Sequence, residues 1–436
     1  MEKLKVKFMK YVSLNVMGMI GISCYILADT LFVSKALGTV GLASLNFSIP
    51  VFSIIQGIGL MIGIGGATDY SINEQQKISN NTSFTQSLYL GGIMSIVFVL
   101  LGGFFAKDLS TLLGADEATL SLTKTYLTTI MLFAPFFICN NILLAFIRND
   151  NNPKLSMIAM LTSSLANIIL DYVFMFPFSM GIFGAALATS LSPIISLCIL
   201  SIHFTQKNQN IHFVKSKILF SKIYHIMTLG LSSLIGELTS AISLITFNLI
   251  ILRIDGNTGV AAYGIVANVA LIATSIFTGI SQGIQPLSSE YYGRGDMTLV
   301  NRILRYSMTT TIIFAVLIYT IVCIFTNEIV AIFNSEQNMK LMMIASQGMK
   351  IYFLGYLFAG INIVSSAFFS SISKAKQGMI ISILRSALIL IPAVLLLSIF
   401  FKMDGIWYSF VITELAVFIL NNIFLQDFKL RTSKSM

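Results

Sequence analysis

Charge is what this sequence has least of. Only 10% of its 436 residues are Asp, Glu, Lys or Arg, while 56% are hydrophobic and the mean hydropathy is +0.86. Soluble domains carry about a quarter charged residues, so two or three soluble domains are excluded. Cysteine is scarce too: Cys24, Cys139, Cys198 and Cys323 lie inside apolar runs at unrelated spacings. That excludes a disulfide framework and a thiolate metal set, and leaves small core hydrophobes. The three histidines, His203, His212 and His225, gather around one loop without the spacing or thiolate partners of a metal site. No histidine falls mid-run, which leaves little for intramembrane hydrolysis.

What is present is a series of apolar stretches near the 20 residues a bilayer requires. Twelve are expected, at 11–34, 45–68, 85–106, 123–146, 155–178, 182–203, 225–252, 259–284, 305–325, 345–371, 378–400 and 404–425. Most of the 27 basic residues fall on one side of this topology. They include Lys3, Lys5, Lys7 and Lys10 before the first run, Lys207, Lys215, Lys217 and Lys222 in the middle loop, and Lys429, Arg431 and Lys434 after the last. By the positive-inside rule both termini are expected in the cytoplasm, with the first run retained rather than cleaved. The net charge of +9 then reads as a topology signal and requires no nucleic acid.

The chain repeats itself. "GLASLNFSIPVFSIIQGIG" begins at Gly41 and "GVAAYGIVANVALIATSIF" at Gly259, 218 residues later. "FAKDLSTLLGADE" (105–117), "LAFIRNDNNPKLSMI" (144–158) and "GIFGAALATSLS" (181–192) find counterparts in the same order in "FTNEIVAIFNSEQ", "SSAFFSSISKAKQGMI" and "GIWYSFVITELA". Six spans return a chain to its starting side, so the expected halves are parallel repeats, 1–205 and 225–436, joined by a linker at 206–224. Repeated membrane halves commonly hold a site between or within them and rock around it.

Ionisable residues inside membrane spans are expensive and mark function by default. In "GISCYILADTLFV" Asp29 follows Tyr25 by four residues, and in "SSLANIILDYVFMF" Asp171 follows Asn167 by four; each pair shares a helix face. Thr189 in "GAALATS" adds a fifth polar group from a third helix. Burial favours a protonated carboxylate and a nearby cation the ionised one. Two aspartates in one pocket can therefore exchange a proton for Na⁺ or a cationic substrate. The bland reading is that Asp29 snorkels to the interface. In the second half, Glu237 is the candidate for a second cation site. Glu414 and Arg385 are either lining residues or a structural charge couple, and Asn362 is a polar lining candidate. The glycines of "GIGLMIGIGG" (57–66) lack the strand and turn of a dinucleotide fingerprint and suit close helix packing.

These segments together resemble the multidrug and toxic compound extrusion (MATE) family over nearly the whole chain. The resemblance rests on the duplicated twelve spans, "ADTLFV" ending the first, "LASLNFSIP" opening the second and, most specifically, "NIILDYVFMF…GIFGAALAT". Within the family, "GIGLMIGIGGAT" is most similar to the bacterial branch of staphylococcal multidrug efflux and DNA-damage-inducible members. The resemblance implies an all-α membrane protein of two pseudo-symmetric six-helix lobes forming a V-shaped cleft. It implies export of organic cations by H⁺ or Na⁺ antiport, with Tyr25, Asp29, Asn167, Asp171 and Thr189 as the coupling network. Two departures stand out. The first span has no proline, where several relatives bend, leaving Gly18 and Gly21 to supply flexibility, and the tenth lacks the acid that some Na⁺-coupled members pair with a seventh-helix Glu.

The expected protein is thus a monomeric cell-membrane antiporter for bulky amphipathic cations. It needs membrane lipids around it, no cofactor beyond the coupling ion, and no enzyme chemistry. The rivals are a lipid-linked or metabolite exporter of the same superfamily, which would want a basic cleft, and, more remotely, an intramembrane aspartyl-type hydrolase using Asp29 and Asp171.

Overall fold

The computed structural model describes residues 2–76, 81–207, 209–334 and 338–434. Among these residues there are helices, turns and loops but no strand. The first continuous helix, Glu2–Gln75, contains one break, at Gly38 (φ 62°, ψ −150°), and so forms α1 (2–37) and α2 (39–75). Next come α3 (Asn81–Phe104), a short helix Ala106–Leu112, and α4, built from Leu120–Leu132 and Ala134–Asn149. α5 (Pro153–Met175) and α6 (Gly181–Ser201) complete the first half.

The second half repeats these irregularities. α7 (Phe220–Gly256) and α8 (Thr258–Gly293) meet at Gly256 (φ 62°, ψ −154°), 218 residues after Gly38. α9 (Met297–Ile324) precedes a short helix Thr326–Phe333. α10 combines Met339–Leu354 and Tyr356–Ser371. α11 (375–401) and α12 (403–434) part at Lys402 (φ 51°). α4 and α10 bend by 49° and 45°. The α4 bend follows from Pro135, which has no N–H to continue the helix of the preceding segment. A positive φ of this kind suits glycine, so Gly38 and Gly256 are the same turn made twice. Among the described residues the fold is therefore all-α, with twelve long helices, once the breaks and bends are counted, in two pseudo-symmetric lobes around a V-shaped cleft.

Each expected span matches one of these helices to within a few residues. Spans 85–106, 155–178, 182–203 and 305–325 run one to three residues past the ends of α3, α5, α6 and α9, whereas elsewhere the helices overrun the apolar runs. α1 starts at residue 2, and α2 runs on to residue 75. Hydropathy registers lipid contact, whereas helix length registers hydrogen bonding, and a helix that leaves the bilayer has no reason to stop there. Cys24 and Cys198 are exposed rather than in the core, because an apolar side chain in a membrane protein can face lipid as well as protein. The linker is shorter than expected, since α7 already begins at Phe220.

Two apolar cores result. One is built from residues of the first half together with Ile211 and Ile223. The other joins residues 247–428 to Leu4, Phe8, Tyr11, Val12 and Val16 of α1. The start of α1 thus packs with the second half. There it crosses α8, where a Cβ on Gly279 or Gly283 would lie 2.6 Å or 2.8 Å from the Cα of Val16 or Val12. α2 crosses α7 just as tightly: Gly230 lies against the carbonyl of Met61, and Gly65 against that of Ile226.

These crossings lie toward the face where both ends of the described chain emerge, here called the terminal face. A polar seam reinforces them. Lys7 pairs with Glu290 at 2.7 Å, and buried Arg148 donates to Asn15 Oδ1 at 2.9 Å and to Gln282 Oε1. Gln285 donates to Thr68 at 2.9 Å and accepts from Asn149 at 2.9 Å. Ser23 and Ser275 touch mid-helix. The halves are joined from that level to the terminal face, and the cleft opens on the far face.

Candidate ion-coupling site

The first-half network assembles inside the first half, where α1, α5 and α6 meet. α1 approaches α5 through small residues: a Cβ on Gly18 would meet Met160 Sδ at 2.9 Å, and one on Gly21 would meet Leu161 Cδ2 at 2.7 Å. These glycines allow close packing, which brings Asp29 toward Asp171. α5 carries Asn167 and Asp171 on one buried face. In the orientation its surroundings require, the Asn167 amide donates to Asp171 Oδ2 at 3.1 Å and accepts from the Thr189 N–H at 3.3 Å. α6 contributes Thr189 one turn before Pro193. Proline has no N–H, so the Thr189 carbonyl loses its helical donor.

Burial makes this polar group costly. Asp29, Asn167, Asp171 and Thr189 are all buried, and Asp29 Oδ1, Asp171 Oδ1 and Thr189 Oγ1 have no hydrogen-bond partner. Each unpaired buried polar atom costs about 1–3 kcal/mol. The two carboxylates lie within electrostatic range of each other. Such a set offers oxygen ligands to a small cation or a position for a proton. Tyr25, half-buried, lies within electrostatic range of Asp29, Asp171 and Glu237.

Sequence reasoning missed Tyr126. This buried α4 residue stands beside Thr189 and within range of both carboxylates. Its signal was the polar run "TKTYLTT" within an apolar span. Sequence reasoning also passes over Asn15, Arg148, Gln282 and Gln285, although Arg148 stands within the repeat text "LAFIRNDNNPKLSMI".

The second-half candidates do not form one site. Arg385 grips Glu414 with Nη2 at 2.7 Å and Nε at 3.0 Å from Oε1. Asn362 donates to Glu414 Oε2 at 2.8 Å and to its backbone carbonyl at 2.9 Å. Of the two readings left open for Arg385 and Glu414, this geometry is that of a charge couple. Glu237 stands apart on α7, where a Cβ on Gly57 would lie 3.4 Å from Glu237 Cβ, so it faces the joint between the halves. Among the described residues no group of three or more His, Cys, Asp or Glu is arranged to hold a metal ion. His203 instead contacts Asp150 at 2.7 Å, His212 contacts Asn81, and His225 lies 3.7 Å from Asp69.

A duplicated bundle of apolar helices long enough to cross a bilayer, with buried acids inside its first half, has the architecture of a polytopic membrane transporter. A family model described as MatE matches residues 16–173 and 233–396, and the chain belongs to that family. It is 28% identical over 379 residues to the multidrug export protein MepA of Staphylococcus saprophyticus, covering 86% of this chain and 82% of the relative. MepA of Staphylococcus aureus is likewise 28% identical, over 382 residues and the same shares. Among solved structures, an outward-facing multidrug resistance MATE family transporter of the MOP superfamily superposes with TM-score 0.89 at 19% identity, covering 98% of this chain and 97% of that one. The Vibrio cholerae MATE transporter VcmN superposes with TM-score 0.88 at 19% identity, covering 98% of each. Family membership sets intramembrane hydrolysis aside.

Proposed function

We propose that this protein is a secondary antiporter of the cell membrane that exports organic cations in exchange for H⁺ or Na⁺ by alternating access. The observation that carries the reading is the buried pair Asp29 and Asp171, with oxygens that no protein donor satisfies. A proton or Na⁺ bound there supplies what the protein withholds, and an arriving cationic substrate competes for it. Asn167, Tyr25 and Thr189 orient the acids, Tyr126 closes the group, and Glu237 offers a further negative charge to a cation at the joint. The staphylococcal relatives, named as multidrug export proteins, support an amphipathic cationic cargo.

The distribution of basic residues favours cytoplasmic termini, so the closed terminal face is the cytoplasmic one and the cleft faces outward. The units that rock are the halves 1–205 and 225–436, with the start of α1 as a shared bearing, and a monomer contains everything the cycle requires. Arg385 is neutralised by Glu414, which argues against a cleft built for anionic or lipid-linked cargo.

The test is dye efflux from proteoliposomes under separately imposed pH and Na⁺ gradients. One gradient should drive export, and D29N and D171N should each abolish the gradient-driven part while leaving the protein folded. Normal export by both variants across a range of pH would remove the assignment. No dye movement under either gradient would favour the specialised exporter.

A further inference from the structure

The segment between the halves is not slack. Four backbone N–H groups of this segment are pinned to the first half. Asn210 donates to Asp150 Oδ2 at 2.9 Å, His212 to Asn81 Oδ1 at 3.0 Å, Val214 to Thr85 Oγ1 at 3.0 Å and Leu219 to Gln86 Oε1 at 3.0 Å. In return Gln86 donates to the Lys217 carbonyl at 2.7 Å, and Tyr89 to that of Ser216 at 3.2 Å. From Asn81 to Tyr89 is about 12 Å along α3 at 1.5 Å per residue. The segment therefore descends alongside α3 to the level where the apolar part of that helix has begun.

Its side chains sort into two faces. Val214 and Ser216 are half-buried against α3, while Phe213, Lys215 and Lys217 between and beside them are exposed, the alternation of an extended chain. Ile218, Leu219 and Phe220 continue the exposed apolar surface. Phe213 is 56% exposed, Phe220 81% and, on the next turn, Tyr224 73%. Residues 206–224 contain four lysines and no acid. Aromatic and aliphatic side chains interleaved with lysine, held at the end of a membrane helix, match the boundary between headgroups and acyl chains.

We propose that residues 213–224 form an interfacial anchor that binds anionic phospholipid. Phe213, Ile218, Leu219 and Phe220 enter the acyl boundary, and Lys215 and Lys217 meet the headgroup phosphates. The charge has one sign and the leaflet expected on this face is the anionic one; that placement rests on the cytoplasmic reading of the terminal face, but the lipid contact does not rest on transport. Tied to the first half through α3, the anchor holds the starting point of α7 to the bilayer.

The test uses the full chain in phosphatidylcholine vesicles with and without phosphatidylglycerol. Tryptophan fluorescence of F213W, measured against the wild type with its single Trp407, should be quenched by brominated acyl chains and shielded from iodide. In detergent, phosphatidylglycerol should raise the Tm of the wild type, whereas inorganic phosphate should not. K215E/K217E should bind phosphatidylglycerol more than roughly thirty-fold more weakly, since loss of two lysines alone is worth about thirty-fold at an anionic surface. K215Q/K217Q supplies the same reading with a smaller loss where charge reversal prevents folding. Iodide quenching of F213W without bromine quenching overturns the anchor. Bromine quenching with no effect of phosphatidylglycerol or of the lysine variants overturns the anionic recognition. Equal response to inorganic phosphate does so as well.

Discussion

Arg385 and Glu414 show how little a residue's type says about its work inside a membrane. Glu414 is 2% exposed and receives two donors from Arg385 and one from Asn362, so its charge is already answered. Asp29 and Asp171 are as buried and have oxygens left over. The contrast yields a prediction. R385L leaves an unanswered buried carboxylate and should destabilise the folded protein by about 3–5 kcal/mol. R385L/E414L, which removes both charges, should recover most of that and retain gradient-driven export. Thermal unfolding and dye efflux of the two variants decide it; an R385L protein as stable as the wild type would show that the couple is not structural.

At the scale of the helix, what matters most is how closely two backbones can pass. α2 and α7 cross with Gly65 and Gly230 against each other's carbonyl groups, a spacing that leaves no volume for a methyl group. G230V should therefore open the crossing. Overpacking of this kind costs roughly 1–3 kcal/mol, or about 5- to 150-fold in the ratio of closed to open terminal face. Maleimide labelling of T68C in a cysteine-free background should rise accordingly from the terminal side. Unchanged labelling with normal folding would mean that the crossing yields without opening. The helix breaks belong to the same scale: Gly38 and Gly256 reverse the chain in one residue each, and their common φ and ψ display the duplication more plainly than the letters around them.

For the whole molecule, the proposed cycle requires that the closed terminal face be reversible. Its seam is mostly neutral and hydrogen-bonded: Asn15, Thr68, Ser71, Asn149, Gln282 and Gln285, with Arg148 held by amide oxygens. Hydrogen bonds exchanged for water on opening cost little net free energy, so in the proposed cycle a modest ion gradient suffices to move the equilibrium. Q285L removes the bonds to Thr68 and Asn149; Asn149 keeps Ser71 and the Ala145 carbonyl, while the Thr68 hydroxyl is left without its partner in the closed state. It should shift the population toward an open terminal face by about 1–3 kcal/mol, seen as longer distances between spin labels placed on the terminal ends of α2 and α8. A shift toward the closed state would contradict the role given to the seam. By contrast Lys7 and Glu290 are partly exposed, and K7Q should change the balance by less than about 1 kcal/mol.

The sequence by itself determined where apolar spans lie to within a few residues, their duplication, and which positions along them carry basic and acidic residues. Each of these follows from transfer of single side chains to lipid or from spacing along one helix. Only the tertiary structure decided that Gly18 and Gly21 pack against α5, that Arg385 and Glu414 pair, that Glu237 faces the joint, and that the start of α1 serves the second core. It also brought Tyr126 to the acids and laid the linker along α3. The physical reason is that a helix in lipid is apolar on most faces, so periodicity does not reveal which face meets a neighbour. Those contacts join residues far apart in the chain, and only the packed bundle brings them together.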